Sequence, residues 1–133
     1  MRTAIRRDEG EVLLLGGTRR IEILIEPGTT GTRVFTMGTQ TLPPRGEVPL
    51  HKHPEEEIIF VYAGSGRITV AGVAHEVGPE TAVFLPGETY HRIENTGGGE
   101  LRYTFGRAPG VCRQAGAGAW SVRVRARVRK NSS

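Results

Sequence analysis

The stretch His51-Lys52-His53-Pro54-Glu55-Glu56-Glu57, together with a distant histidine at position 91, holds the side chains of this 133-residue chain best suited to binding a metal ion. Two histidines at i and i+2 on extended chain point to the same face, with Cβ atoms about twice the ~3.3 Å strand rise apart, so both imidazoles can reach one ion. Glu57 lies four residues past His53, an even offset that returns its carboxylate to that face if the segment stays extended; a bend at Pro54 alters the parity. His91 arrives 34 residues after Glu57, enough chain for the hairpins that bring an opposing strand into reach. Three neutral imidazoles and a carboxylate form a ligand set of intermediate softness, suited to one divalent transition metal: Fe, Mn, Ni, Zn or Cu. Solvated polar groups in a Glu-rich loop are the bland alternative. That alternative explains an isolated His-x-His better than it explains three of the chain's four histidines beside apolar strands.

Those side chains need strands to position them, and the period of the chain is two. Ile21, Ile23 and Ile25 alternate with Glu22 and Glu26, the pattern of a strand with one face toward a core. The cluster from Pro27 to Gly31 turns the chain, and the β-rich run Arg33 to Thr41 ends at Leu42-Pro43-Pro44-Arg45-Gly46. Further strands are expected over Glu57 to Ala63, Arg67 to Val70, Ala74 to Val77 and Thr81 to Leu85. Leu101, Tyr103 and Phe105 then alternate with Arg102 and Thr104. Strands this closely spaced, with no amphipathic helix of useful length, predict an all-β antiparallel double-sheet jelly-roll barrel with a cavity at its mouth. The 19 glycines and 8 prolines fit such a design, because tight turns use both.

We read residues 1–120 as one domain and 121–133 as a basic tail or edge strand. The formal charge is +4, yet Arg123, Arg125, Arg127, Arg129 and Lys130 contribute five positive charges, which leaves −1 on the rest. A nearly neutral barrel does not make a nucleic-acid partner the expectation. With Cys112 as the only cysteine there is no internal disulfide framework, and the cytoplasm is the expected compartment. The short apolar run Val12 to Leu15 is far below the length of a membrane span, so no membrane association is expected.

The segment Gly46 to Gly64 resembles the first motif of the cupin superfamily: His-x-His, a glutamate after three intervening residues, a glycine after six more. Glu80 to Asn95 resembles the second, ending in His91-x-x-x-Asn95. The motifs and the strands between them span about half the chain. It departs from the pattern at turns: four residues rather than five separate Gly46 from His51, Glu80 stands where the second motif opens with glycine, and Gly87 comes one position early. The resemblance implies that His51, His53, Glu57 and His91 are the metal ligands, that Asn95 is structural or orients a ligand, and that the protein is a homodimer. It also implies a metal-dependent enzyme acting on a small molecule in the barrel. Dioxygenase-like oxidoreductase chemistry is favoured narrowly over a non-redox polyketide cyclase, lyase or decarboxylase, with a non-catalytic binding cupin as a third reading. Four protein ligands would leave coordination positions open for water, oxygen or substrate.

Other residues carry weaker claims. Arg33 and Arg102 are candidates for holding an anionic substrate, because a guanidinium forks onto carboxylates, and Tyr103 is a further substrate-contact candidate that, with Phe105, also suits the barrel filling. His75 is expected to be exposed or satisfied by hydrogen bonds. Glu55 and Glu56 read as solvated loop charges, one of them available as a proton acceptor. Cys112 reads as an incidental thiol before a nucleophile. No residue is assigned as a catalytic acid or base.

Overall fold

The structure is a computed structural model; it describes residues 2–16, 19–110 and the backbone of 124–126. Cys112 and Trp120 lie outside these residues, as does most of the basic C-terminal segment.

Among the described residues, eleven strands form two antiparallel sheets. They are β1 (Glu11–Leu15), β2 (Arg19–Ile25), β3 (Thr36–Leu42), β4 (Glu47–His51), β5 (Glu56–Ala63) and β6 (Gly66–Val70), followed by β7 (Val73–Val77), β8 (Thr81–Leu85), β9 (His91–Asn95), β10 (Leu101–Ala108) and β11 (Val124–Ala126). The larger sheet runs in the order β11-β1-β2-β3-β10-β5-β8, and the smaller in the order β4-β9-β6-β7. The jelly roll expected from the spacing of the strands is the architecture found. The run Val12 to Leu15 proves to be the core of β1, and the backbone of β11 pairs with it at the sheet edge.

Alternation decides what faces inward. In β5, Glu57, Ile59 and Val61 are buried while Glu56, Ile58 and Phe60 are exposed. In β10, Leu101, Tyr103 and Phe105 are buried. These residues pack with Leu42, Ile68, Leu85 and Ile93 in one core between the sheets. The chain from Pro27 to Thr30 is a single helical turn, closed by Gly31 at φ 77°, a left-handed position that suits a residue without Cβ.

Asn95 fastens the end of β9. Its Nδ2 donates to the carbonyls of Leu42, Pro43 and Gly99 at 2.9, 3.0 and 2.8 Å, and its Oδ1 accepts from the Gly97 amide at 2.9 Å. Its partners are the backbone of Leu42 at the end of β3 and of Pro43, Gly97 and Gly99 in the loops beside it.

Candidate metal centre

Strand register brings the site together from both sheets. His51 ends β4 and stands opposite His91, the first residue of β9, in the smaller sheet. The chain leaves the smaller sheet at residues 52–55 and enters the larger one at Glu56. His53 sits on that connection, and Glu57 is the second residue of β5. The shared-face argument for one extended strand therefore does not hold: His51 and Glu57 converge because two sheets face each other. The connection is pinned by the Glu88 amide, which donates to the His53 carbonyl at 2.7 Å. A Cβ on neighbouring Gly87 would collide with the Pro54 carbonyl oxygen, so the early glycine of this turn permits the close approach.

The ring centroids of His51 and His91 are 4.4 Å apart, those of His53 and His91 4.9 Å, and those of His51 and His53 5.6 Å. One ring nitrogen from each lies within 4.8 Å of the others, so three histidines could hold a metal ion. Each Nδ1 faces a backbone carbonyl: His51 that of Pro49 at 2.7 Å, His53 that of Glu55 at 3.0 Å, and His91 that of Thr89 at 3.1 Å. A carbonyl only accepts, so each Nδ1 carries the proton and each neutral ring keeps its lone pair on Nε2. Outer hydrogen bonds of this kind orient histidines for a metal.

Glu57 Oε1 stands 3.0 Å from His53 Nε2. At this spacing a proton or a metal ion must lie between the two atoms, and with the His53 proton on Nδ1 the place is open to an ion. Two donors about 2.1 Å from an ion, at right angles to one another, also stand about 3.0 Å apart. The residues present therefore fit a divalent ion.

The electrostatics run the same way. Burial pushes the His91 pKa down to about 4, aided by the neighbouring charge of His51. Burial likewise lowers His51. Burial alone would raise the carboxyl of Glu57, but Arg107, then His53 and His91, outweigh it and hold that group below the usual carboxylate range. The Arg107 Nε is 3.3 Å from Glu57 Oε1, and the two residues are direct cross-strand partners in β10 and β5.

These shifts predict an acid sensitivity of the chelated protein. Below pH 6.5 the unfolded chain takes up protons that His51 and His91 refuse in the folded state, so ν for the unfolded state exceeds that for the native one. Stability should hold above that pH, fall between about 6.5 and about 4, and level off where His91 itself protonates. Denaturant titrations in the presence of chelator at pH 7.5, 6 and 5 measure it; a flat profile would contradict the assigned burial of the histidines.

The other sequence-predicted residues separate. Arg33 is exposed before β3, and Arg102 borders a different depression with Arg20, Glu22 and Glu100. Neither lines the histidine cavity. Tyr103 is fully buried and donates its hydroxyl to Gln40 Oε1 at 2.8 Å. Glu55, expected in solvent, is only 3% exposed, with a carboxylate oxygen 3.3 Å from His53 Nδ1; the closed connection folds it inward. Glu56 and His75 are exposed. The cavity, about 520 Å³, is instead lined by two other arginines, Arg19 and Arg107, and by Gln40. Alternation carried the signal for all three: Arg19 precedes Ile21 by two, Gln40 precedes Leu42 by two, and Arg107 follows Phe105 by two.

A two-sheet barrel whose cavity is bounded by three converging imidazoles and a buried carboxylate is a small jelly roll with a candidate metal cluster. The sequence pattern of the cupin domain matches residues 38–105, and the chain belongs to the cupin family. It is 30% identical over 90 residues to the protein SchB of Streptomyces halstedii, covering 67% of this chain and 65% of that one. It thus spans just under two thirds of that relative. It is also 30% identical over 107 residues to the dimethylsulfoniopropionate lyase DddW of Ruegeria pomeroyi, covering 76% and 70%. In fold it is similar to the polyketide cyclase RemF of Streptomyces resistomycificus, with a TM-score of 0.71, 23% identity and coverage of 82% and 80%. No helix among the described residues is long and apolar enough to cross a membrane.

Proposed function

We propose that the protein is a metal-dependent enzyme that carries out non-redox lyase or cyclase chemistry on a small organic molecule, with His51, His53, Glu57 and His91 as the metal ligands. The observation that carries this reading is the set of three Nδ1-to-carbonyl bonds, which turns three Nε2 lone pairs toward one point beside the Glu57 carboxylate. A divalent ion bound there supplies Lewis acidity toward a substrate carbonyl or enolate oxygen. The chain's own contribution is to hold His51 and His91 neutral through burial, keep Glu57 ionised through Arg107, and shelter the reacting end of the substrate between the sheets.

Dioxygenase chemistry, favoured narrowly on the motifs alone, gains no specific support, and the non-redox alternative fits as well. One relative that matches at 30% identity is named as a lyase, which supports the non-redox reading. Elemental analysis of protein purified without chelator, followed by assays of the metal-loaded form in an oxygen electrode, separates the readings. Near-stoichiometric metal with product formed under argon supports the proposal. Product formation that requires oxygen uptake restores the dioxygenase, and ligand binding with no product under either atmosphere supports a binding module.

We also assign the assembly as a homodimer in the cytoplasm. The lone cysteine supports a reducing compartment. For the dimer the support is an apolar outer face on β5 and the edge strand β8, where Ile58 is 63% exposed, Phe84 52% and Phe60 44%. Light scattering should give twice the 14.5 kDa chain mass, and Phe84→Glu should give the monomer; a wild-type monomer at micromolar concentration would defeat the assignment.

A further inference from the structure

We propose that Arg19 and Gln40 form a carboxylate subsite on the large-sheet wall of the cavity, so that the substrate is an elongated organic acid whose charged end lies there and whose reactive end lies at the histidines. The proposal deepens the enzyme reading above and rests on it only for the word substrate.

Gln40 is 6% exposed and lines the cavity. The Tyr103 hydroxyl donates to its Oε1, which fixes the amide, because the reverse orientation would strand both the phenolic proton and Oε1. Its Nε2 then meets no hydrogen-bond acceptor among the described residues. A buried amide donor left in this state is costly, and a small shift of the side chain toward the cavity would let a ligand oxygen relieve it. Burial pushes the Tyr103 pKa far up, so the phenol stays a donor.

Arg19 lines the same cavity from the neighbouring strand. Ile21 of β2 is opposite Gln40 of β3, so Arg19, two residues earlier on the same face, is the diagonal neighbour of Gln40, a separation long side chains bridge. Among the described residues Arg19 makes no ion pair. The carboxylate that acts on it from a distance is Glu47, whose oxygen is already held by Arg92 at 2.7 Å. Partial loss of hydration opposes the Arg19 charge, which an arriving anion would offset. The other charged groups lining the cavity are Lys52, Glu55, Glu57 and Arg107. Glu55 faces His53 and Glu57 is met by Arg107, so neither neutralises Arg19.

Register also sets the length of the ligand. Gln40 is opposite Tyr103 on β10 and Glu57 opposite Arg107, four residues further along. At about 3.4 Å per residue the two stations are about 14 Å apart along the strand. A two-carbon acid does not span that distance; a chain or ring of several atoms does, and the volume accommodates it.

Cinnamate and its neutral analogue cinnamamide, titrated calorimetrically into zinc-loaded and chelated protein, provide the test. Cinnamate should bind at least tenfold more tightly than cinnamamide in both forms. Arg19→Met should weaken cinnamate ten- to hundredfold and leave cinnamamide unchanged, with Arg19→Lys intermediate, as expected for loss of a charge-assisted hydrogen bond. Gln40→Leu should weaken it several-fold and decides the matter if Arg19→Met does not fold; Arg33→Met, outside the cavity, should change nothing. Cinnamate binding that requires zinc yet ignores Arg19→Met and Gln40→Leu would place the carboxylate on the ion, overturning the subsite while leaving the metal reading intact. No cinnamate binding in either form also overturns it. Arg19-dependent binding by a protein that takes up no zinc would uphold the subsite and defeat the metal enzyme.

Discussion

Replacing His91 by alanine is expected to lower metal affinity by at least a hundredfold and to reduce turnover to background while the barrel remains folded. His91 is 1% exposed and faces both other imidazoles across less than 5 Å of ring separation. Loss of a group that merely orients a ligand already costs ten- to a hundredfold in affinity, and a ligand itself should cost no less. The measurement pairs elemental analysis with thermal melts at increasing zinc concentration. Wild type should gain Tm with zinc, because an ion bound only by the folded state stabilises it by mass action, whereas His91→Ala should not respond. A variant that keeps stoichiometric metal and full zinc-dependent stabilisation would remove His91 from the ligand set.

The second large effect belongs to Arg107. Glu57 is 6% exposed and ionised because the guanidinium of Arg107, itself largely buried, lies against it. Arg107→Met keeps much of the aliphatic stem but leaves a buried carboxylate without its main counter-charge, a change that costs about 3–5 kcal/mol when a buried pair is broken from one side. For a chain of this length that is a fall in Tm on the order of 10 °C. Two further measurements tie the loss to Glu57. Glu57→Gln in the same chain should restore most of the lost stability, because no charge is then stranded, and saturating zinc should restore part of it in the single variant. An Arg107→Met protein as stable as wild type, with or without chelator, would show that Glu57 does not depend on this pair.

Much of the fold was legible in the sequence because the signals are local. Alternation over two residues marks strands wherever one face is buried, and the turns after Leu42, Val70 and Leu85 each carry glycine or proline. Residue type and the resemblance of two motifs also singled out His51, His53, Glu57 and His91, and all four border one cavity. The strand β1 was less plain: Val12 and Leu13 are both buried, on opposite faces of the chain, so the run lacks a two-residue period.

What sequence could not decide was how the sheets meet. His51 and Glu57 share a site because the chain changes sheets between them, and no local periodicity encodes that crossing. The same holds for the arginines. Arg33 and Arg102 stood in β-rich runs as plausibly as Arg19 and Arg107, but inward position depends on register against a neighbouring strand, which is a long-range property. Residue types and their order thus determined a jelly roll and a candidate set of metal ligands. The pairing of strands distant in sequence decided which polar side chains are enclosed with that set, since only enclosure removes the water that would otherwise satisfy them.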